Sequence, residues 1–96
     1  MKIGERFQAG SIVCTSAINN LMCESNRFRM FVHECLLRHV VGDWGDLCEG
    51  DKQANEKALV DDSRLLSAYK SDSLPKIWII TEADRSSTCI LFPNDY

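Results

Sequence analysis

The sequence predicts an α+β domain in which an N-terminal strand and helices pack on a C-terminal three-stranded antiparallel meander. Three observations predict it. Helical periodicity is concentrated before residue 60, and apolar β-branched runs are concentrated after residue 63. The connections between those late runs are short and polar, which suits hairpins, because a parallel return needs a longer crossover. Helices grouped first and strands grouped last define the α+β class.

Residues 1–10 carry no periodic signal and read as coil. Ser11-Ile12-Val13-Cys14-Thr15 is short and β-branched, follows Gly10, and reads as a strand. Thr15 or Ser16 can cap a short helix through Cys23, with Ala17, Ile18, Leu21 and Met22 as its apolar positions. The Ser25-Asn26 pair can cap the next helix, which has the clearest pattern in the chain. Phe28, Phe31, Val32, Cys35, Leu36 and Val40 recur at i, i+3, i+4, i+7, i+8 and i+12, making one apolar stripe. Arg38 and His39 fall in its last turn, where cations suit the helix dipole, and Gly42 follows as a left-handed cap.

Asp46 with Glu49 three residues later has the spacing of a cap and predicts a short helical turn. Gly50 is expected to interrupt it, and Asp51 to cap a second piece through about Leu59, with Ala54, Ala58 and Leu59 inward. Asp61-Asp62-Ser63 reads as a loop. Arg64–Tyr69, Ile77–Thr81 and Thr88–Phe92 are the strand candidates, separated by the turn clusters at 71–75 and 83–87. The expected core is Phe28, Phe31, Val32, Leu36, Leu65, Trp78, Ile80 and Leu91.

A chain of 96 residues holds one domain, 1–96, with a modest core. Apolar residues make up 45% and charged residues 26%, an ordinary globular composition. No apolar run is long enough to span a membrane or to form a signal peptide, so the expected location is the cytoplasm. Five cysteines, none in a C-x-x-C pair, predict reduced thiols and neither a disulfide framework nor a zinc knuckle.

Net charge is −3 but unevenly spread. Residues 1–42 carry +2, residues 43–62 carry −5, and residues 63–96 balance. An acidic block without clustered Lys and Arg argues against direct nucleic-acid binding and suits a basic partner surface or a solvated face.

"HVVGDWGDLCEGD", residues 39–51, holds the most concentrated polar chemistry. His39, Asp43, Asp46 and Glu82 are the residues an enzyme would use, since carboxylates with one imidazole suit a hard divalent ion. Cys48 with His39 would be the alternative nucleophile pair. No H-E-x-x-H, P-loop or Gly-x-Ser-x-Gly elbow accompanies them. No catalytic or metal residues are therefore assigned, and no cofactor is expected. The competing reading is structural: Gly42 caps, Asp43 closes a turn, Trp44 fills a gap between helix and sheet, Gly45 supplies a positive φ, and Asp46 caps the next helix. The loop "TEADRSS" divides similarly, with Arg85 pairing with Glu82 or Asp84 or else presented for contact.

The segments "RHVVGDWGDL", "DKQANEKAL", "RLLSAY" and "IWIITEADRSSTCILFPNDY" resemble a family of small proteins encoded on plasmids, phages and integrated elements. These are termed plasmid-related proteins, and some are labelled type I restriction subunits. The resemblance covers roughly residues 38–96 and brings no catalytic residues. It implies an accessory protein of a bacterial mobile element, a setting in which small proteins often counter host defence, including CRISPR and restriction systems. The combined expectation is a non-enzymatic, anti-CRISPR-like inhibitor, monomer or homodimer. It would mask a host protein or ribonucleoprotein defence complex through Asp43, Asp46, Glu49, Asp51, Glu82, Asp84 and Arg85. The alternative is a small metal-dependent or nucleotide-directed enzyme built on His39, Asp43, Asp46 and Glu82.

Overall fold

The computed structural model describes residues 4–96. Of the segment read as coil, residues 1–3 lie outside the described residues, and residues 4–10 form neither helix nor strand. The elements are β1 (Ser11–Cys14), α1 (Ser16–Glu24), α2 (Asn26–Val40), α3 (Glu49–Asp61), β2 (Leu65–Ser71), β3 (Leu74–Thr81) and β4 (Ser87–Leu91), followed by a 3-10 turn at Pro93–Asp95. The class is α+β, with three helices and one mixed four-stranded sheet.

Strands β2, β3 and β4 pair antiparallel in sequence order, as their short connections require. The N-terminal strand departs from expectation. It does not pack on the meander but joins the sheet beside β4, in parallel, giving the order β1-β4-β3-β2. A parallel neighbour needs a long connection, and everything between residues 14 and 87 supplies one.

Local capping explains the helix boundaries. Thr15 accepts a hydrogen bond from the Ile18 amide at the start of α1, and Ser25 accepts one from the Phe28 amide at the start of α2. After α2, Gly42 adopts φ +85°, and the amides of Gly42 and Asp43 close on the carbonyls of His39 and Arg38. The region after Gly45 differs from the two-piece helix expected. One helix, α3, runs without a break, Gly50 sits inside its first turn, and Cys48 occupies the cap position with no side-chain bond. Asp46 is unavailable as a cap because its carboxylate is held by the Lys70 amide of β2 at 2.8 Å. Ala54, expected inward, is exposed; the buried side chains of α3 are Asn55 and Ala58.

Sheet alternation decides which strand residues meet the helices. Tyr69, Ile77, Ile79 and Ile90 face Ile18 of α1 and Phe28, Val32 and Cys35 of α2, forming the main core. Trp44, Ala58 and Leu65 form a smaller cluster under α3. Of the expected core, Phe28, Val32, Leu65, Ile80 and Leu91 are buried, whereas Phe31, Leu36 and Trp78 are only half-buried. Phe31 and Leu36 sit on the margins of the α2 stripe. Trp78 projects from the sheet face away from the helices, where Tyr96 meets it edge-on at 5.9 Å. All five cysteines are free; Cys35 is buried, Cys14 and Cys89 are half-buried, and Cys23 and Cys48 are exposed. Cys23 and Cys48 lie on the solvent side of α1 and at the head of α3.

Candidate functional site

His39 projects from the last turn of α2 into the core and is fully buried. Its Nδ1 lies 2.5 Å from the Ser67 hydroxyl of β2, and its Nε2 lies 2.9 Å from the Thr81 hydroxyl of β3. Thr81 and Thr88 hydroxyls are 2.7 Å apart, and the Thr88 hydroxyl donates to the Ala9 carbonyl at 2.7 Å. Each hydroxyl has one proton, so the last bond orients the whole chain. Thr88 spends its proton on Ala9, so it accepts from Thr81. Thr81 must then accept from Nε2–H of His39, and Nδ1 accepts from Ser67. The imidazole is thus the neutral Nε2–H tautomer, walled by Phe7 and Trp44 at 5.2 and 5.8 Å. Burial pushes its pKa down to about 4. Both ring nitrogens are occupied, which leaves no lone pair for a metal and no acceptor for a substrate proton.

The residues after the helix run along the outer edge of β2. Asp43 pairs with the Arg38 guanidinium at 2.7 Å and accepts from the Gly45 amide, and both interactions hold its carboxyl below the usual range. Its carbonyl accepts from the buried Tyr69 hydroxyl at 2.6 Å. Trp44 is buried and donates its indole N–H to Glu56 at 2.7 Å. Glu56 is itself paired with Arg6. Gly45 takes φ +76°, and a Cβ there would lie 2.0 Å from the Ala68 carbonyl, so no other residue fits.

Together these contacts seal the edge. Ala68 donates to the Trp44 carbonyl and accepts from the Asp46 amide, and Lys70 donates to the Asp46 carboxylate. Leu66 is met on both backbone groups by the Asn55 carboxamide, at 2.6 and 3.1 Å. The stretch Gly42–Asp46 is therefore a cover for a sheet edge that would otherwise expose unpaired backbone. The side chain that completes the cover, Asn55, was missed in the sequence. Its signal was a polar residue on the inward stripe of a helix, a position that demands a backbone partner.

The other predicted site residues divide in two. Glu49 and Asp51 are exposed in the first turn of α3, and Glu82 is exposed where β3 ends. Asp84 closes a turn by accepting from the Ser86 amide at 3.0 Å, and the Ser86 hydroxyl, with that amide second, draws its carboxyl down. Arg85 does not pair with the carboxylates of Glu82 or Asp84. Its guanidinium donates to the carbonyls of Ala58, Ser63, Glu82 and Ala83, tying the end of α3 to the β3–β4 loop. Four carbonyls converge there because α3 ends beside that loop, and a five-donor fork satisfies them where a carboxylate pair would not.

The set His39, Asp43, Asp46 and Glu82 is not assembled. His39 is inside the core, Asp43 and Asp46 lie on the β2 edge, and Glu82 points to solvent beyond β3. Among the described residues no group of three or more His, Cys, Asp or Glu side chains is placed to hold a metal ion. The buried Cys35 thiol is pushed up to about 12 by burial, which removes it as a nucleophile at neutral pH. No described helix is long and apolar enough to cross a membrane. Comparison with family models, curated proteins and solved structures finds no match to the chain.

Proposed function

We propose that this chain is a non-enzymatic binding protein of a bacterial mobile element, acting in the cytoplasm to inhibit a host defence complex by masking a functional surface. The observation that carries the binding reading is how the polar groups are used. His39, Asp43, Asp46, Asp84 and Arg85 are committed to internal hydrogen bonds, while Glu49, Asp51 and Glu82 face solvent outside the two ion pairs found among the described residues. The first turn of α3 thus offers carboxylates at little folding cost, on a helix with only Asn55 and Ala58 buried. A basic channel that normally takes phosphate is the chemistry this surface would meet. The defence target rests on the resemblance over residues 38–96.

The test is capture of the partner from bacterial lysate with mass identification, repeated with Glu49→Lys and Asp51→Lys combined. The wild type is expected to retain a basic defence component, more at low salt than at high salt. The double variant should slow association and leave the melting temperature within a few degrees. Unchanged capture by the folded variant would refute a role for this acidic surface. Tight stoichiometric binding of a divalent ion in calorimetry would refute the non-enzymatic reading.

A further inference from the structure

The two edges of the sheet are built differently. On β2 both outward backbone groups of Leu66 and of Ala68, and the amide of Lys70, meet partners from Asn55, Trp44 or Asp46. Along β1 and just past its end, the amides of Ser11 and Thr15 bond inward to the carbonyls of Ser86, just before β4, and Ile90 in it. By strand alternation Val13 also points inward, so Ile12 and Cys14 direct N–H and C=O outward. Among the described residues nothing accepts or donates to them. The edge also carries none of the usual deterrents, such as a charge, a proline or a bulge. Ile12 and Val13 are each 47% exposed, and Ile12 opens onto a groove of about 450 Å³ whose walls include Leu36, Leu37 and Val40.

We propose that β1 is a homotypic docking edge: two copies of this chain pair antiparallel through it, joining their sheets into one of eight strands. Register follows from the outward groups. Residues opposite each other in an antiparallel pair must share a face, so the two-fold axis passes through a residue position. Centring it on Val13 sets Ile12 against Cys14 of the second copy, and Cys14 against Ile12. All four outward groups of each strand are then paired. Val13 meets Val13 of the second copy as the close, non-hydrogen-bonded pair.

Charge selects a second copy over a charged partner. The strand Ser11–Cys14 has no ionisable group except the Cys14 thiol, and the groove contributes only Glu5. The −5 block of residues 43–62 lies at the far edge, against β2. The seam is therefore neutral, and the chain's own neutral β1 complements it without like-charge repulsion. A four-residue ladder is only about 13 Å long. That alone falls short of the ~800 Å² per partner typical of stable complexes, so a reversible, concentration-dependent dimer is expected. This surface is remote from Glu49 and Asp51, so the inference stands or falls independently of the proposed inhibitor function.

The experiment is sedimentation velocity on the full chain over a concentration series, with Val13→Lys, Val13→Glu and their equimolar mixture. The wild type should show a monomer–dimer equilibrium that changes little with salt. Each variant alone places like charges opposite each other and should weaken the dimer about tenfold or more. The mixture should restore it. A wild type that stays monomeric at the highest soluble concentration overturns the proposal, as does a dimer indifferent to both variants. Amide exchange on the wild type needs no substitution: Ile12 and Cys14 should gain protection with concentration, and exchange independent of concentration is equally fatal. Ile12→Pro removes the outward donor while sparing the inward ladder, and should abolish the equilibrium.

Discussion

Ser67 Oγ of β2 and Nδ1 of His39 lie 2.5 Å apart in the core, with the hydroxyl donating and the imidazole accepting. That polarity makes a proton on Nδ1 costly, since the Ser67 hydroxyl would have to give up its donation to the ring and reverse. The folded pKa of about 4 lies below the ordinary value of 6.5, so the unfolded chain binds more protons between them. The stability due to neutral His39 is therefore complete above pH 6.5, falls as pH drops toward 4, and is gone below. The gap corresponds to about 3 kcal/mol. Urea unfolding at pH 7 and pH 5 should show most of this loss in the wild type, and little of it in His39→Gln. The carboxylates of Asp43, Glu56 and Asp84 are drawn below their ordinary values, so their contributions are lost mainly below pH 5 and add little between the two pH values compared. Equal wild-type stability at the two pH values would mean that His39 titrates freely.

Asn55 replaces a strand with a side chain. Its Nδ2 donates to the Leu66 carbonyl and its Oδ1 accepts the Leu66 amide. Asn55→Leu removes both bonds and leaves two part-buried backbone groups without partners, at a cost of about 2–3 kcal/mol. Asn55→Asp keeps the acceptor for the Leu66 amide but sets a buried carboxylate oxygen against the Leu66 carbonyl, and should cost at least as much at neutral pH. Denaturation midpoints at unchanged slope measure both. Stability of Asn55→Leu at wild-type level would show that water satisfies this edge.

The elements whose signals are local were the legible ones. Phe28, Val32 and Cys35 mark the α2 stripe, Thr15 and Ser25 cap as their types suggest, and β-branched runs mark the late strands. What depended on distant neighbours was not legible. Nothing local says that Ser11–Cys14 lies beside Ser87–Ile90, because that pairing is fixed by packing across the whole chain. Asp46 and Glu49 have the spacing of a cap, yet the Lys70 amide, 24 residues away, takes the Asp46 carboxylate. Arg85 has two acidic neighbours in sequence and bonds to the end of α3 instead. The cap at Asp46 and the carboxylate partner of Arg85 are absent for one reason: a backbone group from another element outcompetes a neighbour in sequence.

Phe28 and Phe31 occupy the same helix and ring type but differ in burial. Phe28 has no exposed surface, and Phe31 is half-buried at 6.2 Å from it. Phe28→Ala should cost about 3–5 kcal/mol, enough to unfold much of a domain this small. Phe31→Ala deletes less buried surface and should cost about half as much. Thermal melts of the two variants give the order. Equal losses would place Phe31 deeper than its exposure indicates.

Arg85 separates a structural role from a contact role. Its guanidinium joins the carbonyls of Ala58 and Ser63 to those of Glu82 and Ala83, across the end of α3 and the β3–β4 loop. A helix C-terminus favours a cation, and a planar fork reaches several acceptors at once. Arg85→Ala should therefore lower stability by about 1–2 kcal/mol, with the half-exposed site moderating the loss. Arg85→Lys keeps the charge without the fork and should recover only part of it. The backbone adds a second effect, because Arg85 sits at φ 61°. Arg85→Gly relieves that conformation and should melt above Arg85→Ala although both lose the same bonds. If Arg85 is only a staple, all three variants should capture the partner like the wild type well below their melting temperatures. Lost capture by a folded Arg85→Ala, with stability intact, would instead move Arg85 to the contact surface.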